Sequence, residues 1–271
     1  MLDYKRYARL ILLCGLLGGP MAFGAQEPSN VNSESVSDPQ FQKLYQNAVD
    51  ARKAGEFFKS RAIYLELLTK YSQASTIEQA RKEFWDLNIA IISSSLQSRG
   101  TEIYTIKPGD TLGKIARKAG TTVELIKRRN QMEANRITAG HKLSIWAGSF
   151  TIVIDKSDNT LTLKTGDEIV KVYPVSTGKN NSSPVGNFTI KDRYADPVWF
   201  HKGDVVPADD PKNFLGTRWL GFDLPKYGIH GTIEPERIGK QVSSGCIRMR
   251  NEDVQELYDL ISAGTLVTIK D

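Results

Sequence analysis

The chain has 271 residues, of which 40% are hydrophobic and 25% are charged. This is the composition of an ordinary globular protein of about two domains. Lys and Arg exceed Asp and Glu by 36 − 31 = +5, an excess too small to indicate nucleic-acid binding. Two Cys and three widely spaced His exclude a disulfide scaffold, a Cys-rich zinc site and an HExxH metal site. We therefore expect no metal centre.

The N-terminus has the layout of an export signal. Three basic residues within the first nine positions precede an apolar stretch over 10–17, and small residues follow. This pattern predicts a secretory signal peptide over 1–25 and export to the periplasm or cell wall. An uncleaved membrane anchor and lipid attachment at Cys14 are the alternatives. If the segment is removed, Cys246 is the only thiol left.

The next two segments contain no candidate chemistry. Residues 26–40 are polar and almost free of apolar side chains, which predicts a flexible linker. Apolar residues recur at helical spacing over 41–99, with a break at Ala54–Gly55, which predicts short helices. This segment resembles a tetratricopeptide-like hairpin. Both a plain spacer and a repeat that contacts a protein partner fit it.

A very small βααβ domain is predicted over 102–147. A β-rich strand leads into a turn at Pro108–Gly109, two short helices are capped near Thr111 and Thr122, and a second strand closes the unit. Nine Lys or Arg and three Asp or Glu lie between positions 103 and 147. That excess is either a solvated basic face or an attraction to an anionic polymer such as the bacterial wall.

The segments YTIKPGDTLGKIARKAGTTVELIKRRN and ITAGHKLSI resemble a LysM domain along its whole length. LysM domains bind N-acetylglucosamine-containing glycans, including peptidoglycan. The groove lies between the loop after the first strand and the loop before the last. The resemblance implies that the glycan is bound by Gly109, Asp110, Thr111 and Ile137.

The remaining residues, 150–270, predict a compact and mainly antiparallel β domain. Alternating β-branched segments separated by turn residues run over 150–173, and further short strands follow near 187–191 and 220–223. One helix is predicted over 251–261, before a last strand. The whole chain is thus predicted to be multidomain, with a helical hairpin region, a βααβ domain and a β domain.

Two segments of the β domain, YGIHGT and SSGCIRMRN, place His230 and Cys246 16 positions apart. A neighbouring imidazole can take the proton of a thiol and so create a nucleophile. Gly245 permits close backbone approach, so the N–H groups of Gly245 and Cys246 could stabilise an oxyanion. Ser243 can hold the loop, and Arg248 can bind a carboxylate. Together these groups are suited to acyl transfer.

Each of these residues alone has an ordinary structural explanation. A lone Cys in an apolar strand is usually a small buried hydrophobe. Arg248 could form a surface ion pair, and His201, in an aromatic segment, is a rival base.

The segments IHGT and SSGCIRMRN, together with PVGNFTI at 184–190, resemble the L,D-transpeptidase catalytic domain, and the resemblance covers 150–269. The position of Ser244 is often His in that family. The resemblance implies a nucleophile at Cys246, a base at His230 and an oxyanion hole on the backbone around Ser244, Gly245 and Cys246. It also implies substrate contacts from Arg248, Ser243, Gly231 and Thr232.

The resemblance also implies a reaction on peptidoglycan stem peptides. Cys246 would attack the carbonyl before the terminal D-Ala, form a thioester and pass the acyl group to an amine, with no cofactor. The amine of a neighbouring stem gives a 3→3 crosslink, a protein Lys anchors a lipoprotein, and a D-amino acid is exchanged. Water would make the protein an L,D-carboxypeptidase. A non-catalytic wall-binding scaffold is the alternative of another class, and the 193–219 stretch is a candidate lid.

Overall fold

The computed structural model describes residues 38–72, 77–201 and 203–271. The predicted signal peptide, 1–25, and nearly all of the predicted linker, 26–40, lie outside the described residues. Within the described ranges, no helix is both long and apolar enough to cross a bilayer. The described residues divide into two compact units, one ending at Asn88 and one running from Ile89 to Asp271.

The first unit is helical. Its helices are α1 (Pro39–Lys53), α2 (Phe57–Lys70) and α3 (Ile77–Ser93), the last of which continues into the second unit. The buried Ser60 hydroxyl on α2 donates to the Ala48 carbonyl on α1 at 2.7 Å. The hydroxyls of Tyr45 and Tyr64 both donate to the Glu83 carboxylate on α3. The predicted helical region is confirmed.

The second unit begins with a βααβ domain, as predicted. Its elements are β1 (Thr101–Thr105), α4 (Leu112–Ala119), α5 (Val123–Arg129) and β2 (Lys142–Trp146). The Thr111 and Thr122 hydroxyls cap the two helices by accepting backbone N–H groups of the first turn. Gly120 ends α4 in the left-handed region, with φ +67°. Strand β1 starts two residues before the predicted strand, because it pairs along its whole length with β2.

The β domain follows. Its elements are β3 (Phe150–Asp155), β4 (Thr160–Thr165), β5 (Glu168–Pro174), β6 (Thr177–Gly178), β7 (Gly186–Ala195), β8 (Trp199–His201), β9 (Asp204–Val206), β10 (Arg218–Phe222), β11 (Gly228–His230), β12 (Gln241–Ser243), β13 (Ile247–Arg248), α6 (Asn251–Leu260) and β14 (Leu266–Lys270). Eight strands form one sheet in the order β13-β11-β10-β7-β14-β3-β4-β5.

Five of the seven pairings in this sheet are antiparallel, as predicted. The two parallel pairings are β14 with β3 and β11 with β13. Helix α6 contributes Val254, Leu257 and Leu260 to the core beneath the sheet. Each such fully buried side chain contributes about 1.5–3 kcal/mol, so the core holds the short strands β11 and β13 in place.

Candidate active site

The loop before β13 carries Cys246 and is closed by its own hydrogen bonds. We call residues 243–246 the nucleophile loop. The Ser243 hydroxyl donates to the Cys246 carbonyl at 2.6 Å and accepts the Gly245 N–H at 3.0 Å. One hydroxyl group thus ties both ends of the loop together. Ser244 is exposed at the tip of this loop.

Gly245 is required by both conformation and space. Its φ is +129°, where side chains are strained. A Cβ at this position would lie 2.7 Å from Cε1 of Tyr227 and 3.3 Å from the Ser182 carbonyl. From the other side, the buried Ser183 hydroxyl donates to the Gly245 carbonyl at 2.8 Å. The loop is therefore held between Tyr227 and the Ser182–Ser183 turn.

One part of the expected oxyanion hole needs correction. The Gly245 N–H was expected to point at the substrate, but it donates to the Ser243 hydroxyl. This hydrogen bond closes the loop and leaves that N–H committed within the protein. Of the expected backbone donors, the N–H groups of Ser244 and Cys246 remain.

The Cys246 thiol is partly buried and points at backbone. Its Sγ donates to the Lys226 carbonyl at 3.4 Å. Lys226 itself has φ +72°, a conformation that non-glycine residues rarely adopt and that clusters at functional sites. Burial raises the pKa of the Cys246 thiol, while the Gly228 backbone and the Arg248 charge oppose the rise. The group therefore rests as a neutral thiol near neutral pH.

His230 ends β11 and is buried, with 4% of its surface exposed. Its Nδ1–H donates to the Gly231 carbonyl at 2.6 Å, which leaves Nε2 as the nitrogen able to accept a proton. The ring stacks on Trp219 of β10, with centroids 5.8 Å apart. Burial lowers the pKa of His230 to about 4, helped by the Arg248 charge and opposed by hydrogen bonds to the Gly231 and Leu215 backbone.

The parallel pairing of β11 with β13 brings the two reactive residues together. In its register His230 lies opposite Arg248, two residues after Cys246. Cys246 directly precedes β13. If the strand geometry extends by one residue to Cys246, its Cα lies about 8 Å from that of His230, and we expect both side chains on the same face of the sheet.

Arg248 is engaged with neighbouring side chains. Its guanidinium donates to Glu234 at 3.0 Å and lies 5.8 Å from the centre of the Phe214 ring. Glu234 also accepts two hydrogen bonds from Arg237, both at 2.9 Å. The Arg248 side chain, 15% exposed, is therefore held in place before any carboxylate ligand arrives.

Gly231 and Thr232 directly follow His230, the candidate base. We call residues 230–232 the base loop. Thr232 is 2% exposed, and its hydroxyl accepts the Glu234 N–H at 3.0 Å. A Cβ on Gly231 would lie 2.1 Å from Oδ1 of Asn251. These two residues were expected to contact substrate, but here they pack within the protein.

Asn251 is the residue that sequence reasoning missed. It is the first residue of α6. Its Oδ1 accepts N–H groups of Thr217 and Thr232, and its Nδ2 donates to the Thr232 carbonyl at 3.0 Å. Because an Asn at a helix start usually caps its own helix, no sequence pattern indicated that this side chain contacts distant loops.

The segment after β7 contains the β8–β9 hairpin and reaches His230 through the backbone of Leu215. Asn213 holds the two open ends of this hairpin together, because its side chain donates to the Pro197 carbonyl at 2.8 Å and to the Pro207 carbonyl at 3.0 Å. Trp199 contacts Phe214 edge to face, at 5.4 Å between ring centres. The side chain of His201, the rival base, lies outside the described residues.

The four predicted glycan-binding residues lie on two loops of the βααβ domain. Backbone hydrogen bonds of Ile106 with Gly140 and His141 join these loops. The Asp110 carboxylate accepts the Tyr104 hydroxyl and the Lys107 N–H, each at 2.8 Å. Thr111 caps α4, Gly109 has φ +81° and Ile137 packs half-buried against the domain core.

Comparison with known proteins identifies the family to which the chain belongs. A sequence model of the L,D-transpeptidase catalytic domain matches residues 149–269, and one of the LysM domain matches 104–146. YkuD of Bacillus licheniformis, a candidate L,D-transpeptidase, is 35% identical over 175 residues, which cover 62% of this chain and 98% of that protein. The chain belongs to the L,D-transpeptidase family. Its βααβ domain is a LysM domain.

Two further similarities were found. YkuD of Bacillus subtilis, also a candidate L,D-transpeptidase, is 35% identical over 173 residues, covering 61% of this chain and 97% of its own. A solved L,D-transpeptidase structure from Mycobacterium smegmatis matches with 22% identity and a TM-score of 0.39, over 49% of this chain and 65% of the other.

Proposed function

We propose that this chain is a peptidoglycan L,D-transpeptidase with Cys246 as nucleophile and His230 as base. The observation that carries the proposal is the parallel pairing of β11 with β13. In this pairing the buried His230 lies opposite Arg248, and Cys246 precedes Arg248 by two positions. The Gly231 carbonyl holds the imidazole so that Nε2 can accept a proton. Membership of the L,D-transpeptidase family supports the reaction class.

The first half-reaction starts from a neutral pair. Because burial raises the thiol pKa and lowers the imidazole pKa, the proton moves from Sγ to Nε2 only as the sulfur attacks. The S–C bond forms at the carbonyl before the terminal D-Ala. The C–N bond then breaks, and His230 gives its proton to the leaving amine. The product is a thioester on Cys246.

The second half-reaction returns the enzyme to its starting state. An acceptor amine gives a proton to His230 as its nitrogen attacks the thioester carbonyl. The C–S bond breaks, and Cys246 recovers the proton from His230. When the acceptor is the amine of a neighbouring stem, the product is a 3→3 crosslink. A Lys of a lipoprotein becomes anchored to the stem, and a free D-amino acid replaces the terminal D-Ala. Water instead yields L,D-carboxypeptidase activity.

The oxyanion in both steps is assigned to the backbone N–H groups of Ser244 and Cys246. A well-aimed donor of this kind lowers the activation free energy by roughly 3–4 kcal/mol. The Gly245 N–H serves instead to close the loop through Ser243. The rigidity of that closure keeps the remaining donors aimed before substrate binds.

Substrate binding is assigned to two places. Arg248, held by Glu234, offers a planar guanidinium to a carboxylate of the stem peptide. The LysM domain binds the glycan strand through the loops that carry Gly109, Asp110, Thr111 and Ile137. The proposal includes export, since the substrate lies outside the cytoplasm.

The test uses purified protein and its Cys246→Ala variant, each incubated with disaccharide-tetrapeptide and analysed by mass spectrometry. A dimer that has lost one D-Ala, formed only by the protein with Cys246, supports 3→3 transpeptidation. Loss of D-Ala without a dimer, even when a free D-amino acid is added, indicates the carboxypeptidase. No product with intact glycan binding indicates the wall-binding scaffold and overturns the proposal.

A further inference from the structure

The LysM domain is joined to the catalytic domain by an interface between α5 and the end of α6. Arg128 of α5 forms an ion pair with Asp259 of α6. The Thr122 hydroxyl, which caps α5, donates to the Asp259 carbonyl. Beside them, the Ser262 hydroxyl donates to the Gly120 carbonyl at 3.0 Å. Both ends of the α4–α5 turn are thereby tied to the catalytic domain.

A second set of contacts extends this interface to the sheet. Arg193 of β7 pairs with Glu124 of α5 at 3.5 Å. It also donates to the Tyr258 carbonyl at 2.7 Å, and its guanidinium lies 4.1 Å from the centre of the Tyr258 ring. Leu125 of α5 is fully buried in the core of the catalytic domain, although Ile126 beside it belongs to the LysM core. A tethered domain would not share its core in this way.

Helix α6 connects this interface with the active site. Asp259 lies near its C-terminal end and Asn251 at its N-terminal end, about 12 Å apart along the helix axis. Asn251 holds the base loop through Thr232. The same rigid element therefore contacts the LysM domain at one end and the loop of the catalytic base at the other.

We propose that the α5–α6 interface holds the LysM domain in one orientation relative to Cys246, and that this orientation selects stems on polymeric glycan strands. The inference rests on the proposed function. A flexible tether only raises the local concentration of substrate. A fixed orientation also restricts the distance and direction from a bound sugar to the reacting carbonyl. Only substrates long enough to occupy both domains benefit from it.

Charge reversal at the interface tests the proposal. The variants are Arg128→Asp, Asp259→Arg and the double variant that exchanges the two charges. Lys43→Asp, at an exposed position on α1, is the control for the change in net charge. Each protein is assayed for D-Ala release and crosslinks on two substrates, soluble disaccharide-tetrapeptide and purified polymeric peptidoglycan with tetrapeptide stems. Thermal melting of every variant reports folding.

Each single variant is expected to lose at least about tenfold in rate on the polymer and to stay within about twofold on the soluble fragment. The double variant should recover part of the loss, because opposite charges again face each other at 128 and 259, while Arg193 and Arg218 beside position 259 limit the recovery. Equal losses on the two substrates, or a double variant no better than the singles, would overturn the inference. If a charge reversal prevents folding, Asp259→Asn replaces it, since it keeps the shape and the backbone carbonyl that Thr122 contacts. A wild-type protein inactive on both substrates would instead refute the proposed function itself.

Discussion

The nucleophile loop and the β8–β9 hairpin lie in the same domain but are held very differently. In the loop, the Gly245 N–H and carbonyl and the Cys246 carbonyl are all hydrogen-bonded to buried serine hydroxyls. In the hairpin, the paired residues Phe200 and Val205 are 75% and 62% exposed. The hydrogen bonds of Asn213 hold only the ends of the hairpin, at Pro197 and Pro207.

This difference divides the site into a rigid part and an adaptable part. Catalytic atoms need positions held within a fraction of an ångström, and the hydrogen bonds of the nucleophile loop would provide this for Cys246 in its proposed role. Exposed loops tolerate change and commonly determine which partner binds. We expect the β8–β9 hairpin to influence which acyl acceptor is used, and the nucleophile loop to set the rate of thioester formation.

The largest effect is expected from a methyl group in the rigid part. Gly245→Ala would place a Cβ 2.7 Å from Tyr227, at φ +129°. The loop must shift, and we expect D-Ala release to fall by at least about 100-fold. Gly203→Ala in the hairpin is the matched control, since Gly203 also has positive φ, +92°, but no atom within 4 Å of the new Cβ. Similar activity in the two variants would contradict the division.

The next largest effect concerns the buried base. His230 has a pKa of about 4 when folded and about 6.5 when unfolded. Between these values only the unfolded chain binds the proton, so the free energy of unfolding falls as the pH is lowered from 6.5 to 4, by about 3 kcal/mol in total. Urea unfolding at several pH values measures this dependence.

The contribution of His230 is isolated by comparing variants. His230→Gln should remove this part of the pH dependence, whereas His141→Gln, at an exposed position on the LysM domain, should leave it unchanged. An unaltered slope in His230→Gln would show that the imidazole is not buried in solution.

A smaller effect is expected where a hydrogen bond supports the loop. Ser183→Ala removes the hydroxyl that accepts the Gly178 N–H and donates to the Gly245 carbonyl. We expect the free energy of unfolding to fall by about 1–3 kcal/mol. Because the loop loosens, the rate of Cys246 alkylation by iodoacetamide should change with it. Asn213→Ala removes hydrogen bonds at the base of the hairpin and should leave that rate as it is. Equal alkylation in both variants would argue against a selective role for Ser183.

The smallest effect is expected at the hairpin surface. Phe200 is 75% exposed, so Phe200→Ser should change the free energy of unfolding by no more than about 0.5 kcal/mol. Thermal unfolding measures this. A loss above about 1 kcal/mol would mean that Phe200 is packed in solution and that the hairpin is less adaptable than its exposure indicates.

Much of the local structure was predictable, because its causes are local. Helical spacing of apolar residues and Thr caps predicted the βααβ domain, and alternation predicted the longer strands, whereas the strands of two or three residues, β11 and β13 among them, were not predicted. The candidate chemistry was also readable, because His230 and Cys246 lie in short motifs whose residue types suit acyl transfer. The sequence could not show that the Gly245 N–H would be taken by Ser243, since a turn offers several acceptors within reach.

The amino-acid sequence by itself thus determined the order of the segments, the helices, the longer strands and the family motifs that nominate Cys246 and His230. Only the tertiary structure decided that β11 pairs in parallel with β13, that Asn251 reaches the base loop and that Leu125 of the LysM domain is buried in the catalytic core. These contacts join residues that lie 18 or more positions apart in the chain. Such contacts depend on how whole elements share buried surface, which no short pattern of residues records.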